Sequence, residues 1–246
     1  MRTLSMMVLA LSLAACGSNS SNSTDAAPGS GSGQPDGGGS GSSGSMTLTL
    51  SGTAQEISTS GKSPLPGVMI TAYNASDDSA LGMATSAADG TFAISVTTPT
   101  AIDGYLKATY GMYKVTYLYP PHPLSADYAN VPVYMLSANT YAAANALLGN
   151  TGQPTTNGWI AMLVQDATGA AVSGAAISST PQGKLGYNSP TLPSGSALST
   201  AADGIGYDVD VATGTVTVSA TKTGATFMSH AIKVRADAVT LTLVTP

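Results

Sequence analysis

Two histidines, thirteen carboxylates, eleven tyrosines and one thiol are the side chains of this 246-residue sequence that could carry chemistry. A catalytic zinc needs three protein ligands, commonly two histidines and a glutamate. His122 and His230 lie more than 100 residues apart, and neither has a glutamate three positions on. His122 falls in Pro120-Pro121-His122-Pro123, which reads as an extended exposed loop, and His230 falls in a strand pattern. No nucleophile elbow or phosphate loop occurs, and Asp77-Asp78 lacks the further oxygens at fixed spacing that calcium needs. A pair of carboxylates working as acid and base stays open. Nine of the eleven tyrosines fall between Tyr73 and Tyr141. Period-two geometry places Tyr113, Tyr117 and Tyr119 on one face of a strand with Val115. An exposed row of that kind stacks on sugar rings or anchors a protein partner; a buried one fills a core. Tyr113, Tyr117 and Tyr119 are the candidate ligand-binding residues, with no metal and no cofactor implied.

The thiol, Cys16, follows a charged start (Met1-Arg2-Thr3), an apolar run from Leu4 to Leu13 that is too short to span a bilayer, and Ala14-Ala15. This order resembles the bacterial lipobox. The resemblance implies cleavage after residue 15, a diacylglycerol on Cys16 and acylation of its freed amine, two or three chains in all. Two chains anchor stably where one does so marginally, at about 0.8 kcal/mol per buried methylene. Gly17 stands where aspartate retains enteric lipoproteins in the inner membrane, so the resemblance favours the outer membrane. Cys16 is the sole cysteine, so no disulfide can form within the chain.

Residues 17–46 are mostly Gly and Ser and read as a disordered tether, too poor in apolar surface to offset its ordering entropy. Across the whole chain only 9% of residues are charged and 43% are hydrophobic, with a net charge of −5. That balance supplies no basic footprint for nucleic acid. No later apolar run approaches the length of a transmembrane helix.

Behind the tether, apolar and β-branched residues alternate in short runs, as in Thr47-Leu48-Thr49-Leu50, Phe92-Ala93-Ile94-Ser95-Val96 and Val239-Thr240-Leu241-Thr242-Leu243. Gly, Pro, Asn and Asp interrupt them, which predicts half-buried strands. Residues 137–148 are alanine-rich, open on Ser137 and stop at Gly149, which predicts a short helix. An internal repeat flanks it. Pro66-Gly67-Val68-Met69-Ile70 matches Ser173-Gly174-Ala175-Ala176-Ile177, and Ser86-Ala87-Ala88-Asp89-Gly90 matches Thr200-Ala201-Ala202-Asp203-Gly204. Gly104 to Ala108 matches Gly214 to Val218. The Asp-Gly pairs supply a side-chain acceptor and a positive-φ position for a tight hairpin.

The segment Val164-Gln165-Asp166-Ala167-Thr168-Gly169, running on to Val172-Ser173-Gly174-Ala175-Ala176-Ile177, resembles the opening of a carboxypeptidase regulatory-like, transthyretin-like domain. The first half departs at Gly61 to Gly67, where the turn is one residue longer, and at Glu56 in place of an aspartate. The resemblance implies a fold, and fold alone does not specify function.

The expectation is an all-β chain of two tandem transthyretin-like or Ig-like β-sandwiches joined by a short helix. Its divisions are a signal peptide (1–15), a lipidated cysteine and tether (16–46), a first sandwich (47–136), a connector (137–156) and a second sandwich (157–246). Trp159 is expected in the core or between the sandwiches. The expected role is a non-catalytic, lipid-anchored module of a bacterial cell envelope, sited at the outer membrane, whose partner beyond the membrane is a polysaccharide or another envelope protein. A carbohydrate-binding lipoprotein and a hydrolase with an unrecognised carboxylate site are the alternatives.

Overall fold

A computed structural model describes residues 45–58, 61–190 and 192–246. The expected signal peptide, Cys16 and nearly all of the tether lie outside them. The chain is all-β with one helix. The first half contributes β1 (Met46–Ser58), β2 (Gly61–Pro64), β3 (Met69–Asn74), β4 (Ala80–Thr85), β5 (Thr91–Thr98), β6 (Gly104–Thr109), β7 (Val115–Tyr119) and β8 (Tyr128–Leu136). Helix α1 (Ala138–Leu147) follows. The second half contributes β9 (Asn157–Val164), β10 (Ala176–Thr180), β11 (Lys184–Asn188), β12 (Pro193–Ser194), β13 (Ile205–Ala212), β14 (Gly214–Thr221), β15 (His230–Val234) and β16 (Ala238–Val244). The helix begins where expected because the Ser137 hydroxyl accepts from the Thr140 amide, satisfying one of the free N–H groups of the first turn. No described helix is long and apolar enough to cross a membrane.

The sequence repeat is a structural repeat. In each half a parallel pair, β1 with β8 and β9 with β16, forms one layer. An antiparallel trio, β3-β6-β7 and β10-β14-β15, forms the other. The match extends to single hydrogen bonds. Buried Ser86 accepts from the Val68 amide at 2.9 Å and donates to the Leu65 carbonyl at 2.7 Å. Buried Thr200 does the same with the Ala175 amide at 2.9 Å and the Val172 carbonyl at 2.6 Å. Gly90 and Gly204 take φ of +79° and +70°. A Cβ on Gly90 would lie 2.5 Å from the Ala54 carbonyl oxygen, and one on Gly204 2.6 Å from that of Val164. Glycine is therefore required twice over at both turns. The first turn is not a hairpin within one sheet, however. It carries the chain from β4 in the larger sheet to β5 in the smaller one.

The halves share a sheet. Strand β16 pairs in parallel with β9 on one side and with β7 of the first half on the other. This closes a nine-stranded sheet of order β12-β11-β13-β9-β16-β7-β6-β3-β4. The alternation of Val239-Thr240-Leu241-Thr242-Leu243 predicts a half-buried strand, but with a strand on each side and a layer on each face every residue of β16 is buried, Thr240 and Thr242 included. The two small layers cover opposite faces of the large sheet. Around β1, side chains such as Leu50, Ile94, Val131 and Val133 pack on Ile70, Ala72 and Leu106. On the other face Ile177, Val216, Val218 and Ile232 pack on Ile160, Met162 and Val244. Trp159 lies in a third cluster with Tyr141, Tyr134, Tyr207 and Leu241, drawn from both halves. Its ring stacks on Tyr207 at 5.4 Å and meets Tyr141 edge-on.

Candidate functional site: the tyrosine junction

Strand alternation sends Tyr117 and Tyr119 of β7 to the face of the large sheet that the second half covers. Tyr105 of β6 and Tyr73 of β3 are directly paired across their strands and join them on that face. The rings form a continuous stack, with Tyr73 and Tyr105 5.3 Å apart and Tyr105 and Tyr119 5.0 Å apart. Each such contact contributes about 0.5–1.5 kcal/mol beyond area burial.

The second half answers with two cations. Arg235, just past β15, lays its guanidinium 4.6 Å from the centre of the Tyr105 ring and 4.4 Å from that of Tyr117. It donates to the Tyr105 hydroxyl at 2.7 Å, the Tyr119 hydroxyl at 3.2 Å and Asp78 Oδ1 at 2.8 Å. Lys233 donates to Asp78 Oδ2 at 2.8 Å, and Tyr105 donates its proton to Asp78 Oδ1. Asp78 lies in the β3–β4 turn with φ of +56°, a conformation that aspartate tolerates better than most residues. Its hydrogen bonds from Lys233 and Tyr105 and the charge of Arg235 hold the carboxyl at about 2. Burial, and then the Asp78 carboxylate, raise the Tyr105 hydroxyl. Both groups therefore keep one protonation state at neutral pH, which suits a fixed contact and not proton transfer. Lys114 and Asp237 form a further ion pair between the halves.

The three candidate tyrosines do not form an exposed row. Tyr117 and Tyr119 are 7% and 6% exposed, their rings covered by Arg235, Tyr105 and β15-side residues. Tyr113 precedes β7, packs beside Tyr110 at 5.4 Å and lies half-buried against the first-half core. Stacking on a sugar needs an open ring face, and neither Tyr117 nor Tyr119 offers one. Sequence reasoning found the aromatic density but missed Asp78, Lys233 and Arg235 as its partners. Asp78 and Arg235 are 157 residues apart, and only the fold brings them together.

The other chemistry-bearing groups are scattered. His230 shares a 2.7 Å hydrogen bond with the Thr242 hydroxyl, and burial and then His122 lower its pKa. Asp208 is fully buried, bonded to the Ser179 hydroxyl and the Gly183 amide, and raised by burial. Asp89 and Asp203 accept from the amides of Thr91 and Ile205, as turn aspartates do. Among the described residues no three His, Cys, Asp or Glu side chains converge to hold a metal.

No protein-family model and no curated protein sequence matches the chain. Solved structures similar to it include the Bacillus anthracis TIE protein, at 12% identity and a TM-score of 0.28. That match covers 81% of this chain, which spans about a third (34%) of that one. The shaft pilin SpaA of Lactobacillus rhamnosus GG is similar at 14% identity, with 82% and 98% of the two chains covered and a TM-score of 0.24. GBS52, the minor pilin of Streptococcus agalactiae, is similar at 14% identity, with 80% and 95% covered and a TM-score of 0.27. Superpositions this loose carry no argument about what this chain does.

Proposed function

We propose that this chain is a non-catalytic module of a bacterial cell envelope, anchored by lipid on Cys16 at the outer membrane, whose two sandwiches act as one stiff body. The observation that carries this reading is the junction. A strand inserted between the halves and an arginine clamp over buried tyrosines remove the hinge that tandem domains otherwise keep. A stiff body on a Gly/Ser tether suits holding surface components at a set spacing or presenting a binding face to them. The motifs that resemble carboxypeptidase regulatory-like domains are accounted for by turn and core chemistry at Ser86, Gly90, Thr200 and Gly204.

Distance measurement between spin labels tests the stiffness. In a Cys16→Ser background, labels at Ser95→Cys on β5 and Thr217→Cys on β14 lie on the outer surfaces of the two small layers. The reading expects one narrow distance distribution. A broad or two-peaked distribution in the folded protein would refute it.

A further inference from the structure

Strand β15 is the repeat counterpart of β7, since each closes its antiparallel trio beside β14 or β6. The outer edge of β7 is occupied by β16, paired in parallel over five residues. Among the described residues no strand pairs with the outer edge of β15. Its polarity can be read from the ladder. The Ile177 amide donates to the Tyr187 hydroxyl, so it points away from β14, and Ala176, Ser178 and Thr180 are the β10 residues that bond β14. Their partners Thr221, Ser219 and Thr217 face β10, so Gly214, Val216 and Val218 face β15 and bond Val234, Ile232 and His230. Ala231 and Lys233 are left with their N–H and C=O groups turned outward. The Lys233 amide is turned toward the Tyr119 hydroxyl on that outer side, which agrees with this polarity and leaves the Ala231 N–H and the two carbonyls as the open groups of the edge.

Along this edge runs a groove of about 310 Å³, walled by Ala75, Ser76 and Asp103 of the first half and by Ala231 and Lys233, with Tyr119 at its base. Ala231 to Lys233 spans about 7 Å, so the groove takes about three residues of extended chain. The Asp103 carboxylate is exposed and enters no ion pair among the described residues. We propose that the β15 edge docks an extended polypeptide segment of a partner protein, with small side chains against Ala75 and Ser76 and a basic one facing Asp103. Main-chain hydrogen bonds would supply the affinity, as in other strand additions to a sheet edge. A saccharide is the poorer fit, because the one ring at the groove, Tyr119, is 6% exposed. This inference rests on the non-catalytic reading above and names the class of partner.

The probes are two synthetic peptides, a copy of residues 237–246 and the same peptide with Thr240→Lys. Each is titrated into the isotope-labelled full chain carrying Cys16→Ser and followed by amide NMR and hydrogen exchange. The expected result is saturable shifts and at least tenfold slower exchange at Ala231, with the lysine peptide bound several-fold more tightly. Ala231→Pro removes only an outward N–H, which an edge strand tolerates, and should abolish binding with melting nearly unchanged. Asp103→Asn, which leaves the backbone intact, should erase the advantage of the lysine peptide alone. No binding at millimolar peptide, binding that survives Ala231→Pro, or changes confined to β7 through displacement of β16 would each overturn the proposal. Peptide cleavage would instead overturn the non-catalytic reading. Self-association of the full chain without peptide, lost in Ala231→Pro, would assign the edge to a second copy and also overturn it.

Discussion

Replacing Arg235 by alanine should destabilise the whole molecule, and the contacts set the size. The guanidinium lies over two rings, bonds two tyrosine hydroxyls and pairs with Asp78. Two cation–π contacts at a partly covered site contribute about 0.5–1 kcal/mol each. The ion pair adds little, about 0.2–1 kcal/mol, because Asp78 is 40% exposed. Leaving the half-buried hydroxyls under-paired costs about 1–3 kcal/mol, since Tyr105 retains Asp78 as acceptor. These terms overlap, so the expected loss is about 3 kcal/mol, or roughly 6–12 °C in Tm for a folded body of this size. Lys233→Ala is the control, because Lys233 makes one exposed ion pair and its loss should cost about 0.5 kcal/mol. Arg235→Lys should behave like the alanine variant, because an ammonium cannot cover two rings and bond two hydroxyls at once. Calorimetry of the three variants checks the argument. Equal shifts for Arg235→Ala and Lys233→Ala, or a shift below 2 °C for the former, would show that the clamp does not hold the halves together.

Three other outcomes are expected. Ser86→Ala and Thr200→Ala should each lose about 1–3 kcal/mol in urea unfolding, because each leaves a buried amide without its acceptor, whereas Thr200→Ser should lose under 1.5. Folding lowers the His230 pKa, so the stability tied to it is complete above the unfolded value near 6.5 and falls as pH drops below it. Among the described residues Thr242 bonds that ring and His122 is the charge that acts on it, so His230→Gln should flatten stability between pH 6.5 and 5, and an unchanged pH slope would count against this. Cys16→Ser should move the protein from detergent-phase membrane fractions to the aqueous phase; unchanged partitioning would end the lipid-anchor reading.

The repeat was legible because its signals are local. The Ser86 and Thr200 hydroxyls act within 21 and 28 residues and the Ser137 cap within three, and the positive φ of each turn glycine is set by its own turn. Alternation identified β5, β14 and β16 for the same reason. The β7–β16 pairing left no such trace, since a parallel ladder between distant segments imposes only burial on each strand. Residue spacing placed Tyr117 and Tyr119 on one face but could not say what covers it. The cover is Arg235, whose partners depend on that same pairing. Tyr113 was grouped with them by its spacing, yet the chain is not extended far enough back from β7 to keep it in phase.

The insertion of β16 also sets an order of events in time. Tyr119 and Thr242, which meet in the central sheet, are separated by 123 residues. During synthesis the first half emerges with the β7 edge bare and its tyrosines uncovered. That edge must wait until residues 238–244 have followed, roughly 6–25 s at ordinary elongation rates. A bare edge beside an aromatic surface is a template for wrong pairing. A chain released before β16 appears therefore keeps both the β7 and the β9 edges unsatisfied. The strand that joins the halves thus closes both edges in one step.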